Sequence, residues 1–225
     1  MELPPPYDTR CRAVIDRLSV NFQPVKRLWP VNARLAVWLA LDLAIIALVL
    51  FMFPRPNLST KLHQFRFAAE LAAFVLAGTV AGVLALRNAI PGREARKGEL
   101  ALLCAIGAAA LALVLLEPIR ASVSLDGFVA AGLRCMTCTV ALATLPWAAL
   151  FWAVRRGVAL AVEVTGGLIG AAAFSYAFAA SRLGCPIDDL RHVLVWHVAP
   201  VFFGVALSTL VGIVWLRRKR GGAFA

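Results

Sequence analysis

Six long apolar runs, separated by short polar links, follow a polar and proline-containing start. Each run is close to the roughly 20 residues that a helix needs to cross a bilayer. They predict spans at 35–53, 67–86, 100–116, 135–154, 158–180 and 193–216. The expected fold is therefore an all-α integral membrane protein with six transmembrane helices. Residues 1–34 form an N-terminal segment, 35–216 the transmembrane domain and 217–225 a basic tail. Pro4, Pro5 and Pro6 cannot continue a helix, but from Thr9 a short one is expected, with Val14, Ile15 and Leu18 on one side. So short a helix needs a partner or a membrane surface, on which Phe22, Leu28 and Trp29 would also sit. The first apolar run lacks a cleavage-site pattern, so no signal peptide is expected.

Composition agrees: 61% hydrophobic residues, 16% charged and a mean hydropathy of +0.82 exclude an ordinary soluble domain. The net charge of +11 would suit nucleic acid, but its distribution points elsewhere. Sixteen of the 23 Lys and Arg lie in the N-terminal segment, links two and four and the C-terminal tail, against seven in links one, three and five. That asymmetry predicts both termini in the cytoplasm. No nucleic-acid reading module accompanies the charge, so direct nucleic-acid binding is not expected.

Inside the spans, Gly78 with Gly82 and Gly166 with Gly170 form small-xxx-small pairs, read as tight packing within one bundle. Asp42, Glu70 and Glu163 fall in or near the bilayer, where a carboxylate needs a partner or a polar cavity. A proton or ion path and simple structural pairing both fit them.

The densest chemistry is Cys185-Pro-Ile-Asp-Asp-Leu-Arg-His192-Val-Leu-Val-Trp196-His197, read with Cys135. On the predicted topology Cys135, at the start of span four, and Cys185, just before span six, emerge on the same outer side, where a bacterial envelope permits thiol oxidation. Cys138 lies one turn deeper, Cys104 is deep in span three and Cys11 faces the reducing cytoplasm. Cys185-Pro186 resembles a helix entry, with Asp188 and Asp189 in the first turn. Asp188, His192 and Trp196 then share a face and His197 is displaced around the helix. Three readings fit. Cys135, Cys185 and His192 suit a soft or borderline metal such as zinc or cadmium, with Cys138, Asp188, Asp189 and His197 as auxiliary ligands. The thiols also suit oxidation. The stretch equally suits a helix cap with a Trp and a His at the membrane interface.

Phe22-Gln-Pro-Val-Lys-Arg-Leu stands before span one, Phe67-Ala-Ala-Glu-Leu-Ala-Ala opens span two, and Cys135 ahead of Pro146, Arg155-Arg156-Gly157, and Cys185-Pro-Ile-Asp-Asp before His192 and Trp196-His197 follow in order. Together they resemble the negative-regulator-of-sigma-F family, NrsF, six-span anti-sigma factors of the bacterial inner membrane. The resemblance implies a regulator rather than an enzyme, with an extracytoplasmic-function sigma factor and the lipid bilayer as partners. It implies that Cys135 and Cys185 sense heavy metal or oxidant and that the sigma factor is then released. No cofactor is required, a heavy-metal ion serving only as a transient signal. The sigma-binding surface is expected over residues 9 to 30, with Val14, Leu18, Phe22, Pro24, Val25, Arg27 and Leu28 as contacts and Arg93 to Lys97 nearby. Two rivals are a membrane thiol oxidoreductase, for which only Cys135-x-x-Cys138 resembles a redox pair, and a small metal transporter.

Overall fold

The computed structural model describes residues 9–20, 28–120 and 124–221, and among these every regular element is helical. In chain order they are α1 (Thr9–Val20), α2 (Val31–Met52), α3 (Leu58–Leu62), α4 (Phe65–Asn88), α5 (Lys97–Leu115), α6 (Leu125–Arg155), α7 (Val162–Gly184), α8 (Leu190–Val193), a π-helical turn (Leu194–Val198) and α9 (Ala199–Gly221). Six helices are long and apolar enough to cross a membrane: α2, α4, α5, α6, α7 and the continuous stretch Leu190–Leu216.

Every start differs from the hydrophobic pattern by two residues or more, α7 opening at Val162 rather than at 158, and two of the differences have a readable cause. Pro30 caps α2, so the helix opens at Val31 and takes Arg34 into it. The Arg34 guanidinium is buried and donates to Ala153 O at 3.2 Å and to Leu86 O at 3.5 Å, carbonyls in the last turns of α6 and α4. A cation there satisfies orphan carbonyls and meets the negative ends of the helix dipoles. Helix α6 opens at Leu125, well before residue 135: Ser124 accepts from Gly127 N and Asp126 stands in the first turn, both N-terminal signals. Cys135 therefore sits nearly three turns inside a helix of 31 residues, not at its start.

Helix α7 is the centre of the bundle. Of its best membrane window 83% is buried, against 11% for α5 at the periphery. It packs against α9, α4, α6 and α2. Small residues permit this. A Cβ on Gly170 would stand 2.7 Å from Ser208 Cβ and 2.8 Å from Gly204 O, and one on Gly166 would stand 2.7 Å from Ser208 O. Gly78 meets Tyr176 of α7, and Gly82 meets Trp38 of α2. Both pairs thus serve contacts within the bundle. Of the carboxylates in these helices, Glu70 is paired with Arg66 and Arg182, whereas Asp42 Oδ2 is buried with no hydrogen-bond partner.

Substitution at these glycines should separate tight contact from open space. Gly170→Leu is expected to destabilise the bundle by at least the roughly 1–3 kcal/mol of an overpacked core. Gly107→Ala, with nothing near its added Cβ, should be neutral or slightly stabilising. Thermal unfolding in detergent, followed by circular dichroism, distinguishes the two.

Candidate functional site

Links one, three and five meet at one end of the bundle. Cys185 closes α7, its N–H donating to Ser181 O at 2.9 Å. The helix expected at Pro186 begins instead at Leu190, because Asp189 takes the capping position and accepts from Arg191 N at 3.1 Å and His192 N at 3.2 Å. Asp189 also accepts from Arg120 N at 2.7 Å, and Leu190 N donates to Pro118 O at 3.2 Å. Link five is thereby fastened to link three.

Asp188, which precedes the cap, turns inward. Its carboxylate is ion-paired with Arg55, with Lys61 at 2.8 Å and with Arg182 at 3.5 Å. Arg182 also reaches Glu70 at 2.9 Å and Glu117 at 3.7 Å, while Arg66 binds both of those glutamates. Arg55 further donates to Cys185 O at 2.8 Å. The Phe67 ring lies under both guanidiniums, at 5.4 Å from Arg55 and 5.2 Å from Arg182. Burial pushes the Asp188 carboxyl up, but Lys61 and Arg55 outweigh it and hold it below the usual aspartate range.

The π-turn changes which side chains meet. Ordinary α-helical spacing sets Trp196 above His192. The wider turn over Leu194–Val198 advances the register, so that His192 and His197 lie side by side with ring centroids 5.4 Å apart. Trp196 is directed instead at α6, where a Cβ on Gly132 would overlap its indole. That glycine lets α6 approach the turn and bring Cys135 to Cys185.

The result is a cluster of Cys135, Cys185, His192 and His197 whose donor atoms all lie within 4.8 Å of one another. The sulfurs are 3.7 Å apart, and Cys185 Sγ is 3.6 Å from His192 Nε2. The hydrogen bond from Cys135 holds the Cys185 thiol well below its usual range, helped by the imidazoles and opposed by burial. His197 Nδ1 lies 3.0 Å from Ser181 Oγ, which fixes the ring, and its Nε2 is buried without a partner. The chemistry open to this set is metal ligation by two thiolates and two imidazoles, or oxidation of the thiol pair.

Other candidates fall elsewhere. Cys138 is deeper along α6 and outside the four, Asp188 is committed to cations, and Asp189 caps α8. Cys104 is exposed on α5. Val14 is exposed on α1, Leu18 lies on the same helix, and Leu28 lines a cleft at the opposite end of the bundle. Pro4 to Pro6, Phe22, Pro24, Val25 and Arg27 lie outside the described residues. Arg55, Lys61, Glu117, Ser181 and Arg182 emerged only from the structure. The one available signal was Arg182 three residues before Cys185, a charge at the end of an apolar run.

Fold and site together define a multi-pass helical protein with a buried thiol–imidazole cluster at one end. The chain matches the family described as NrsF, negative regulator of sigma F, over residues 18–218, and it belongs to that family. No curated protein and no solved structure gives a significant match. The family is one of regulators, whose partner is a sigma factor.

Two outcomes follow from the ion pairs. Arg182→Leu leaves buried Glu70 and Glu117 short of a cation and should cost about 3–5 kcal/mol, read from thermal unfolding in detergent. Asp188, with its carboxyl held low, stabilises the folded form above the ordinary aspartate value of about 3.9. That contribution is lost as pH falls through its depressed value. Melting temperature should therefore drop below about pH 4, and Asp188→Asn should remove part of that drop while starting from a lower plateau.

Proposed function

We propose that this protein is a membrane anti-sigma factor of the bacterial inner membrane. It holds an extracytoplasmic-function sigma factor away from RNA polymerase and releases it when Cys135 and Cys185 meet a heavy metal or an oxidant. The observation that carries the reading is the 3.7 Å approach of these two thiols in a member of a sigma-regulator family. The charge asymmetry supports a topology with both termini cytoplasmic and the thiol end outside.

The opposite end offers a surface for the sigma factor. Leu28 and Trp29 share a cleft of about 590 Å³ with Ile90, Arg93, Arg156 and Val158. Links two and four are joined there by Val158 N donating to Ala89 O at 2.9 Å, and Gly157 permits the approach, since a Cβ would collide with that carbonyl. Leu28 and Arg93, far apart in sequence, thus border one cleft. Val14 and Ile15, both more than half exposed on α1, supply apolar surface for a protein partner.

A change at the thiols shifts sigma affinity only if the two states bind it differently. A ten-fold loss requires about 1.4 kcal/mol of coupling. Co-purification from bacterial membranes, with mass spectrometry before and after cadmium or oxidant treatment, tests this. A sigma factor should be recovered and should leave on treatment with wild type but not with Cys135→Ser/Cys185→Ser. Absence of any sigma factor in both conditions would overturn the reading.

A further inference from the structure

We infer that Cys135, Cys185, His192 and His197 form a closed, four-coordinate site for a thiophilic divalent cation of the zinc and cadmium type, with both histidines as direct ligands. The inference deepens the sensing role proposed for the same thiols, and its test needs no sigma factor, so the two stand or fall separately.

Two of the donor–donor distances match the edges of a tetrahedral site, and all four donors lie within 4.8 Å of one another. With metal–sulfur bonds of about 2.3 Å and metal–nitrogen bonds of about 2.05 Å, tetrahedral angles place two sulfurs ~3.8 Å apart and a sulfur and a nitrogen ~3.6 Å apart. The corresponding distances here are 3.7 Å for Cys135 Sγ to Cys185 Sγ and 3.6 Å for Cys185 Sγ to His192 Nε2. His197 Nε2 falls within the same 4.8 Å cluster and has no hydrogen-bond partner, although the residue has no exposed surface. A buried ring nitrogen without a partner is costly, and a metal bond removes that cost. Its other nitrogen is held by Ser181 Oγ at 3.0 Å, the outer-shell arrangement that orients a metal-bound imidazole.

Charge and backbone agree with the assignment. A divalent cation with two thiolates and two neutral imidazoles is neutral overall, which suits a buried site. On binding, any thiol proton still held by the Cys135–Cys185 pair is given up to solvent and no electrons are exchanged. Four protein ligands leave no open position, as in structural rather than catalytic zinc sites. The π-turn sets the two histidines side by side and brings His197 into the cluster. A cleft of about 510 Å³ lined by Phe128, Ala131, Pro186 and Arg191 reaches His192 and supplies an entry path.

The test is titration of full-length, thiol-reduced, chelator-stripped protein in detergent with cadmium, and with cobalt(II) as a spectroscopic stand-in. One ion per chain is expected, with a thiolate-to-metal charge-transfer band and the intense visible bands of tetrahedral cobalt. His192→Gln and His197→Gln should each weaken binding and shift the cobalt bands, with losses at least as large as the ~10–100-fold typical of an outer-shell change. Ser181→Ala keeps all four donors and should lose roughly ten-fold, a check independent of any folding defect in the histidine variants. Cys138→Ser should bind as wild type does. The inference is overturned if wild type binds no better than Cys135→Ser/Cys185→Ser, or if folded His197→Gln keeps wild-type affinity and spectrum.

Discussion

The arrangement of the thiol end depends on the burial of Arg182. Its side chain has no exposed surface, and a guanidinium in that position is tolerable only with its charge matched, the more so because its Nη2 makes no hydrogen bond and has only the Glu117 carboxylate at 3.7 Å. Glu70 from α4, Glu117 after α5 and Asp188 after α7 supply the match, and each belongs to a different part of the chain. Arg55, Lys61 and Arg66 then complete the shells of those three carboxylates. Links one, three and five are thus drawn to a single point by charge rather than by apolar packing. Cys185 is held by the same set, since Arg55 binds both its carbonyl and the Asp188 carboxylate. The position of the thiol is a consequence of where the cations are neutralised.

The same helix that carries Arg182 runs down the centre of the bundle. Ser181 of α7 touches His197, Gly166 and Gly170 lie against α9, and Val162, at its far end, belongs to the buried core that includes Ala89 and Leu86. In the proposed sensor this continuity would connect the thiols to the Leu28 cleft at the opposite end. Contacts as close as those of Gly166 and Gly170 leave little room for continuous deformation, so a shift at one end is passed on as a change of packing.

How much of this was legible in the sequence follows from what kind of interaction set each feature. The spans were readable because a run of about 20 apolar residues has few other uses. Their ends were not, because Pro30, Ser124 and Asp189 act through capping geometry that an apolar count ignores. Glu70 read as a carboxylate in need of a partner, but the partner, Arg182, lies 112 residues away and only the fold brings them together. The Phe67-Ala-Ala-Glu motif acquires its physical sense there: the ring lies under two guanidiniums and the carboxylate neutralises one of them. His197 was misplaced for a specific reason. Helical spacing of 3.6 residues separates it from His192, and the π-turn, which no composition rule announced, joins them.

That turn also bears on how a sensor of this design would switch. Ligand chemistry at the four donors is strong compared with what regulation needs: structural zinc sites reach apparent binding energies of about 10–16 kcal/mol. A ten-fold change in partner affinity takes only about 1.4 kcal/mol of it. Most of the binding energy therefore does not have to reach the sigma surface. It has only to favour one packing of the turn over another, and π-helical turns within α-helices are found mostly at functional sites. A change of register there would rotate everything beyond Val198 relative to α7, including the packed Gly204, Ser208 and Gly212 face. A small local preference at His197 would in this way be converted into a different packing of the last span, which is the form of coupling that a two-state device requires.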